Sequence, residues 1–337
     1  FRFFGGDLRA AEAGEPVKHY ADMAFMGFVE VLLNLRIVLK NIAFCKQDVL
    51  AWKPDVLILI DFPGFNLKIA DFAKKHGIKV FYYISPKVWA WNQKRVLKIK
   101  KSVDKMFCIL PFEVDFYEKW GMKVDYIGNP LLDAVKAFVP NADFRQSNKL
   151  PDKKIIALLP GSRKQELAYV LPTMLSVVND FPQYQFIIAG APNFNTADYQ
   201  AYLSNHEITV LFNQTYDLLA NAAAAIVTSG TATLETALFN VPQVVVYRGN
   251  SISIGVAKLL VKIRFISLVN LIADKEIVKE LIQDDCNHNS LQSELVQVLS
   301  GDQRTQMLEE YRDLHAVMGE AGASQRAAQL MYGYLVG

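Results

Sequence analysis

Two short stretches combine the side chains and the backbone freedom that anion chemistry needs. In the first, the apolar run 154–159 ends in Pro160-Gly161-Ser162-Arg163, and Gln165-Glu166 follow at the start of a helical pattern. Glycine lets the backbone approach an anion closely. Free amides at a helix start favour phosphate, and Ser162 adds a hydroxyl donor. Arg163 can fork onto two phosphate oxygens. Such donors would stabilise the charge that grows as a diphosphate leaves. Taken alone, the tetrapeptide is equally an ordinary β-turn. In the second stretch, the run 225–228 ends in Ser229-Gly230-Thr231-Ala232-Thr233-Leu234-Glu235. Again a glycine turn opens a helix after a strand. Glu235 lies one turn in, where an acid can accept both ribose hydroxyls, as in dinucleotide sites. The alternative is a helix cap on Ser229 or Thr231. Together the two turns favour a diphosphate site made of Gly161, Ser162, Arg163, Gly230 and Thr231, with Glu235 on the ribose. Neither turn matches the P-loop and no G-x-G-x-x-G occurs, which disfavours NTP hydrolysis and NAD chemistry.

A third candidate is Asp61, directly after the apolar run 55–60. At a sheet's carboxyl edge it could take the proton of an attacking hydroxyl. Asn66 lies five residues on and could orient a sugar. Capping the next helix is the competing role for Asp61. Further along, Trp89-Ala90-Trp91-Asn92-Gln93-Lys94-Arg95 leads into Lys98, Lys100, Lys101 and Lys105. Basic groups beside indoles suit a phosphate near a membrane interface. Trp89, Trp91, Lys94 and Arg95 are therefore read as acceptor or membrane contacts, against the plainer reading of a solvated helix face.

The elements that must hold these residues follow from periodicity. Runs at 55–60, 79–84, 105–110, 124–127, 154–159, 185–189, 208–211, 225–228 and 243–247 are apolar on both faces, as parallel strands are. Helical patterns alternate with them, which predicts an α/β chain of Rossmann-like sheets. The polar segment 139–153, with Pro140 and Pro151, reads as a linker. Residues 1–138 and 154–300 are then two domains facing a cleft, and 301–337 a set of terminal helices. Within 28–44, Phe28, Val31, Leu32, Leu35, Val38, Leu39 and Ile42 form one apolar stripe, and Val29, Leu33 and Ile37 a second. One stripe would pack on the sheet and the other touch lipid, with Arg36 and Lys40 meeting anionic headgroups. Burial on both sides, by a partner chain, is the alternative.

Composition narrows the function classes. A length of 337 residues suggests two domains or one large one. An apolar fraction of 52% supports packed cores. Thirty-six basic and 34 acidic side chains, net +2, are too balanced for a nucleic-acid binder. The three cysteines and five histidines match no metal spacing, and the thiols read as reduced and cytosolic. No signal peptide is apparent, and Glu30, Arg36 and Lys40 argue against a spanning helix at 23–44.

Several motifs resemble those of bacterial lipid-A-disaccharide synthase. They are Leu159-Pro160-Gly161-Ser162-Arg163, residues 229–235 and Ser267-Leu268-Val269-Asn270-Leu271-Ile272. The first half is similar too, in Met26-Gly27-Phe28-Val29-Glu30-Val31-Leu32, in Ile60-Asp61-Phe62-Pro63-Gly64-Phe65-Asn66, in Ser85-Pro86-Lys87-Val88-Trp89-Ala90-Trp91 and in Leu110-Pro111-Phe112-Glu113. The match runs in order over nearly the whole chain. It implies a GT-B fold and transfer from UDP-2,3-diacylglucosamine to 2,3-diacylglucosamine 1-phosphate. The product would be the β-1',6-linked lipid A disaccharide, formed with inversion. No cofactor or metal is implied, and no nucleic acid. The resemblance puts Asn270 with the donor and the protein on the inner face of the inner membrane as a peripheral enzyme. Many relatives carry a second aspartate where this chain has Gly64, which puts the base role of Asp61 in question.

The chain opens on Arg2-Phe3-Phe4-Gly5-Gly6, which reads as the end of a second strand. The family's earlier strand and its loop of Gly, Glu, Ser and Asp are not in the sequence. A fragment inactive as it stands is thus one expected state. The terminal helices either return to the first domain or swap between copies, so a homodimer is one expected state. The rival readings are another UDP-N-acetylglucosamine enzyme of this fold, transferase or epimerase, and a non-catalytic UDP-sugar binder.

Overall fold

Strands covered on both faces need apolar side chains at every position, and that is how the runs fold. A computed structural model describes residues 1–19, 34–203, 207–250 and 263–337. The chain divides into two compact units, Phe1–Pro86 with Lys94–Phe107, and Lys87–Gln93 with Cys108–Gly337.

In the first unit, β1 (Phe4–Gly5) and β2 (Lys18–His19) form a separate parallel pair. Strands β3 (Val56–Ile60), β4 (Lys79–Tyr83) and β5 (Lys105–Cys108) lie side by side in that order, all parallel. Val80, Phe81 and Tyr82 are fully buried, so the run shows no alternation. The Pro63–Lys75 helix packs on β3 and β4 and buries Phe65, Leu67, Ile69, Ala70 and Ala73. Its proline start removes one of the amides that a first turn leaves unpaired.

The Leu35–Trp52 helix turns Ile42, Cys45 and Val49 inward. Leu35, Ile37, Leu39, Phe44, Leu50 and Trp52 are exposed. This corrects the expected division, which set Leu35 and Leu39 with Ile42 and apart from Ile37. The inward face centres near Cys45 and Val49, and Leu39 and Ile37 fall on either flank of it, roughly 100° away. Val29 and Leu33 of the second stripe lie outside the described residues.

The second unit begins with β6 (Asp125–Tyr126) and continues with β7 (Lys154–Leu159), β8 (Tyr184–Gly190), β9 (Thr209–Phe212), β10 (Ala222–Thr228), β11 (Gln243–Tyr247) and β12 (Glu280–Ile282). The last six form one parallel sheet in the order β12-β11-β10-β7-β8-β9. Counted from β7, that is the dinucleotide-fold order 3-2-1-4-5-6. Ile155, Ala157 and Leu159 enter one core and Ile156 and Leu158 the other, so β7 is the spine of both.

The Ala323–Val336 helix packs on the Pro130–Ala137 helix of the same chain. Asp133 accepts hydrogen bonds from the amides of Gly322, Ala323 and Ser324. Arg326 Nε donates to the Ile127 carbonyl at 2.9 Å. These ties explain why residues 108–138 belong with the second unit. The packing boundary thus falls before the 139–153 segment expected as the linker. That segment carries a short helix, Phe144–Ser147, whose Phe144 is buried.

Candidate functional site

In the second sheet the strand order reverses between β7 and β10. Helices leaving these strands go to opposite faces, and ligands of such sheets bind outside the carboxyl ends at that point. Both glycine turns sit there. β7 pairs with β10 up to Leu159 opposite Val227, so Gly161 and Gly230 follow neighbouring strand ends.

The first turn is already filled from within. Gly161 has φ +97°, and a Cβ there would collide with the Glu166 carboxylate. Glu166 Oε2 accepts from the Ser162 amide at 3.0 Å and the Arg163 amide at 3.2 Å. Its Oε1 accepts from Arg163 Nη1 at 2.9 Å. The amides expected to be free are therefore held by the Glu166 carboxylate. Asn193, from the loop after β8, donates to the Ser162 carbonyl at 3.0 Å. The Arg163 side chain remains largely exposed.

The second turn keeps open space. Nothing lies within 4 Å of a Cβ built on Gly230. Ser229 Oγ donates to the Ile266 carbonyl at 2.8 Å, and Thr233 Oγ1 to the Gly230 carbonyl at 2.8 Å. Thr231 is exposed at the start of the Thr231–Leu238 helix. Beside them Thr228 Oγ1 is buried without a partner among the described residues. Tyr216 donates its hydroxyl to Glu235 Oε1 at 2.9 Å. Burial raises the Glu235 pKa, and the Tyr216 bond offsets part of that rise.

The Glu235 carboxylate gives a testable sign. Its pKa lies above the usual 4.5. Stability contributed by the group is then full below the unfolded value and is lost as pH rises through the folded one. Glu235→Gln is expected to melt no lower than wild type at pH 7 and to flatten this part of the pH dependence. UDP affinity should fall in the same variant. Thermal melts across pH, paired with calorimetry, check both.

Asn270 is placed away from solvent. It is fully buried, its Nδ2 donates to the Val278 carbonyl and to Glu280 Oε1, and its Oδ1 accepts from the Ile277 and Val278 amides. Glu280 also accepts from the Ile266 and Ser267 amides, and Ile266 in turn anchors Ser229. Asn270 thus holds the second turn in place through Glu280 and Ile266, which corrects the expectation of direct donor contact by its side chain. Asn270→Ala leaves several buried groups unpaired and is expected to cost about 3 kcal/mol in urea unfolding.

In the first unit, Asp61 follows β3 in a strained turn. Asp61 and Phe62 both have positive φ, +44° and +43°. Non-glycine residues held this way cost about 1–3 kcal/mol each and persist where neighbours impose them. Tyr82 donates its hydroxyl to the Asp61 carbonyl at 2.6 Å, and Asn66 Nδ2 donates to the same carbonyl at 2.8 Å. Asn66 also reaches the Ile60 carbonyl at 3.0 Å, so it braces the turn rather than reaching outward. Asp61 itself is exposed.

The indoles separate. Trp89 is buried, donates Nε1 to Glu113 Oε1 at 3.2 Å and meets Phe112 edge-on, whereas Trp91 is 50% exposed. This corrects the expectation that both contact acceptor or membrane. Lys94 is exposed and Arg95 half-buried. Among the described residues no cluster of His, Cys, Asp or Glu is arranged to hold a metal. None of their helices is long and apolar enough to cross a membrane. The pairs that sequence reasoning missed, Glu166 with the turn amides, Tyr216 with Glu235 and Glu280 with Asn270, bring a side chain onto a singled-out residue.

The family model described as lipid-A-disaccharide synthetase matches residues 2–332. Lipid-A-disaccharide synthases of Trichlorobacter lovleyi and Syntrophus aciditrophicus are each 39% identical, covering 98% and 97% of this chain and 89% and 88% of theirs. Among solved structures, UDP-GlcNAc 2-epimerase of Neisseria meningitidis, bound to UDP-GlcNAc, superposes with TM-score 0.64 at 14% identity, over 95% of this chain and 86% of that one. The calicheamicin glycosyltransferase CalG4 superposes at 0.57 with 15% identity, over 99% and 90%. The fold they share with this chain is GT-B.

Proposed function

Because the chain belongs to the lipid-A-disaccharide synthase family of glycosyltransferases, we propose that it joins UDP-2,3-diacylglucosamine to 2,3-diacylglucosamine 1-phosphate with inversion. The observation that carries this reading is the pair of glycine turns at the strand-order switch, with Glu235 one helical turn away. Arg163 and the Ser162 amide face the diphosphate once Glu166 yields them. Gly230 leaves room for the second phosphate, and Thr231 adds a hydroxyl. Glu235 accepts from the ribose. Glu280 and Asn270 keep that turn in position.

Asp61 takes the proton of the acceptor 6-hydroxyl. The oxygen forms its bond to the anomeric carbon on the face opposite the diphosphate. The bond from that carbon to the diphosphate oxygen breaks, and UDP leaves with the electron pair. Tyr82 and Asn66 hold the turn that aims the carboxylate. Exposed Ile37 and Leu39, with Arg36, Lys40 and Lys94, suit an anionic membrane surface, where both acylated substrates reside.

A panel of UDP-sugars with and without acyl chains tests the substrate class. The acylated donor is expected to turn over, and UDP-N-acetylglucosamine to remain unchanged. Epimerisation or transfer of the unacylated donor in preference to the acylated one would contradict it.

A further inference from the structure

At the other end of the second sheet, the amino ends of β7, β8 and β10 border a cavity of about 300 Å³. Its lining includes Arg145, Lys154, Tyr184, Asn221 and Arg304, and no acidic residue. Among the described residues, none of the three cations pairs with a carboxylate. Three like charges around one cavity repel one another unless an anion joins them.

The two guanidinium groups are fixed in place. Arg145 Nη1 donates to the Pro151 and Lys153 carbonyls at 3.2 and 3.1 Å. Arg304 Nη1 donates to the Ala223 and Val298 carbonyls at 2.7 and 3.1 Å. Each guanidinium spends one nitrogen on the backbone, and its planar fork retains further donors. The Ala223 carbonyl is available because β10 bulges there: its register with β7 slips between Ala222 and Ala224. Bulges are rare between parallel strands and re-aim the chain where they occur. Here the bulged residues themselves line the cavity.

We propose that this cavity is a second anion site, taking a small solute with a phosphate or diphosphate group. Arg145 and Arg304 supply planar, pre-set donors, exposed Lys154 a further charge, and Asn221 the second N–H of an amide whose first donates to the Asp217 carbonyl at 2.9 Å. The site is separate from the donor turns. β7 and β10 lead from the cavity to Gly161 and Gly230, and strands of six or seven residues span about 20 Å. The half-buried placing of both arginines favours a single small group entering the cavity over the flat face of a bilayer.

Calorimetry with inorganic pyrophosphate tests this. Arg163→Ala first weakens binding at the donor turn. The expected result is that this variant still binds pyrophosphate, and that adding Lys154→Gln weakens the binding tenfold or more. The exposed Lys154 side chain holds no carboxylate among the described residues, so its loss leaves folding intact. Arg304→Gln should act in the same direction. No binding in Arg163→Ala, or equal binding with and without Lys154→Gln, would overturn the proposal. A second arm offers phosphatidylglycerol vesicles. Binding to them that is unchanged by Lys154→Gln and by excess pyrophosphate is expected. Vesicle capture that both abolish would overturn the solute assignment in favour of a headgroup.

Discussion

Asp61→Asn is expected to lower turnover by about 10²–10⁴ while leaving UDP affinity unchanged. Asparagine tolerates the left-handed backbone that position 61 adopts, so the turn should survive. The carbonyl that Tyr82 and Asn66 hold is main-chain and is untouched by the change. Only the proton acceptor is lost. The proposed UDP site is made of residues of the second unit's glycine turns, and Asp61 is not among them. Steady-state rates with both acylated substrates, beside UDP calorimetry, separate the two quantities. Undiminished turnover would remove Asp61 from the mechanism. Gly64 offers an internal check. It lies in the first turn of the helix after Asp61, with open space where a Cβ would stand. An aspartate fits there, so Gly64→Asp in the Asp61→Asn background should restore little if position 61 holds the base. Full recovery would assign that role to position 64.

Arg163→Ala is expected to weaken UDP and UDP-sugar binding by roughly 10–150-fold, the loss of a charge-assisted hydrogen bond worth about 1.5–3 kcal/mol. Turnover should fall with it, and membrane association should not change. Glu166 makes the expectation two-sided. Its carboxylate now holds Arg163 and both turn amides, and a diphosphate must compete with it. Glu166→Gln weakens that competitor and removes a like charge from the site. UDP should bind this variant several-fold more tightly, while the glutamine amide oxygen can still accept from the Arg163 amide at the helix start, so stability should change little. Opposite shifts in the two variants are the signature of an anion site occupied by an internal carboxylate. Equal losses would make Glu166 a supporting residue for the turn instead.

The sheet cores were legible because burial on both faces writes itself as an uninterrupted apolar run. β7 and β11 occupy 154–159 and 243–247, as expected. β10 starts three residues early, at Ala222, because alanine carries little strand signal. β12, three residues long, is too short for any periodicity to reveal. The turns were legible as glycine and hydroxyl clusters after strands. Their wiring was not. Tyr216 meets Glu235 across 19 residues, Asn193 meets Ser162 across 31, and Tyr82 meets Asp61 across 21. Nothing in local spacing encodes such pairs. Trp89 shows the opposite error: an indole among lysines suggests a surface, yet one buried acceptor, Glu113, draws it inside.

Transfer itself is the most direct measurement. The protein would be given UDP-diacylglucosamine and radiolabelled diacylglucosamine 1-phosphate, with UDP release counted and the product linkage read by NMR. One disaccharide 1-phosphate per UDP, joined β-1',6, is the expected result, and its formation should slow in Arg163→Ala and in Asp61→Asn. An α-linked product, or UDP released with the acceptor unchanged, would contradict inverting transfer at these turns.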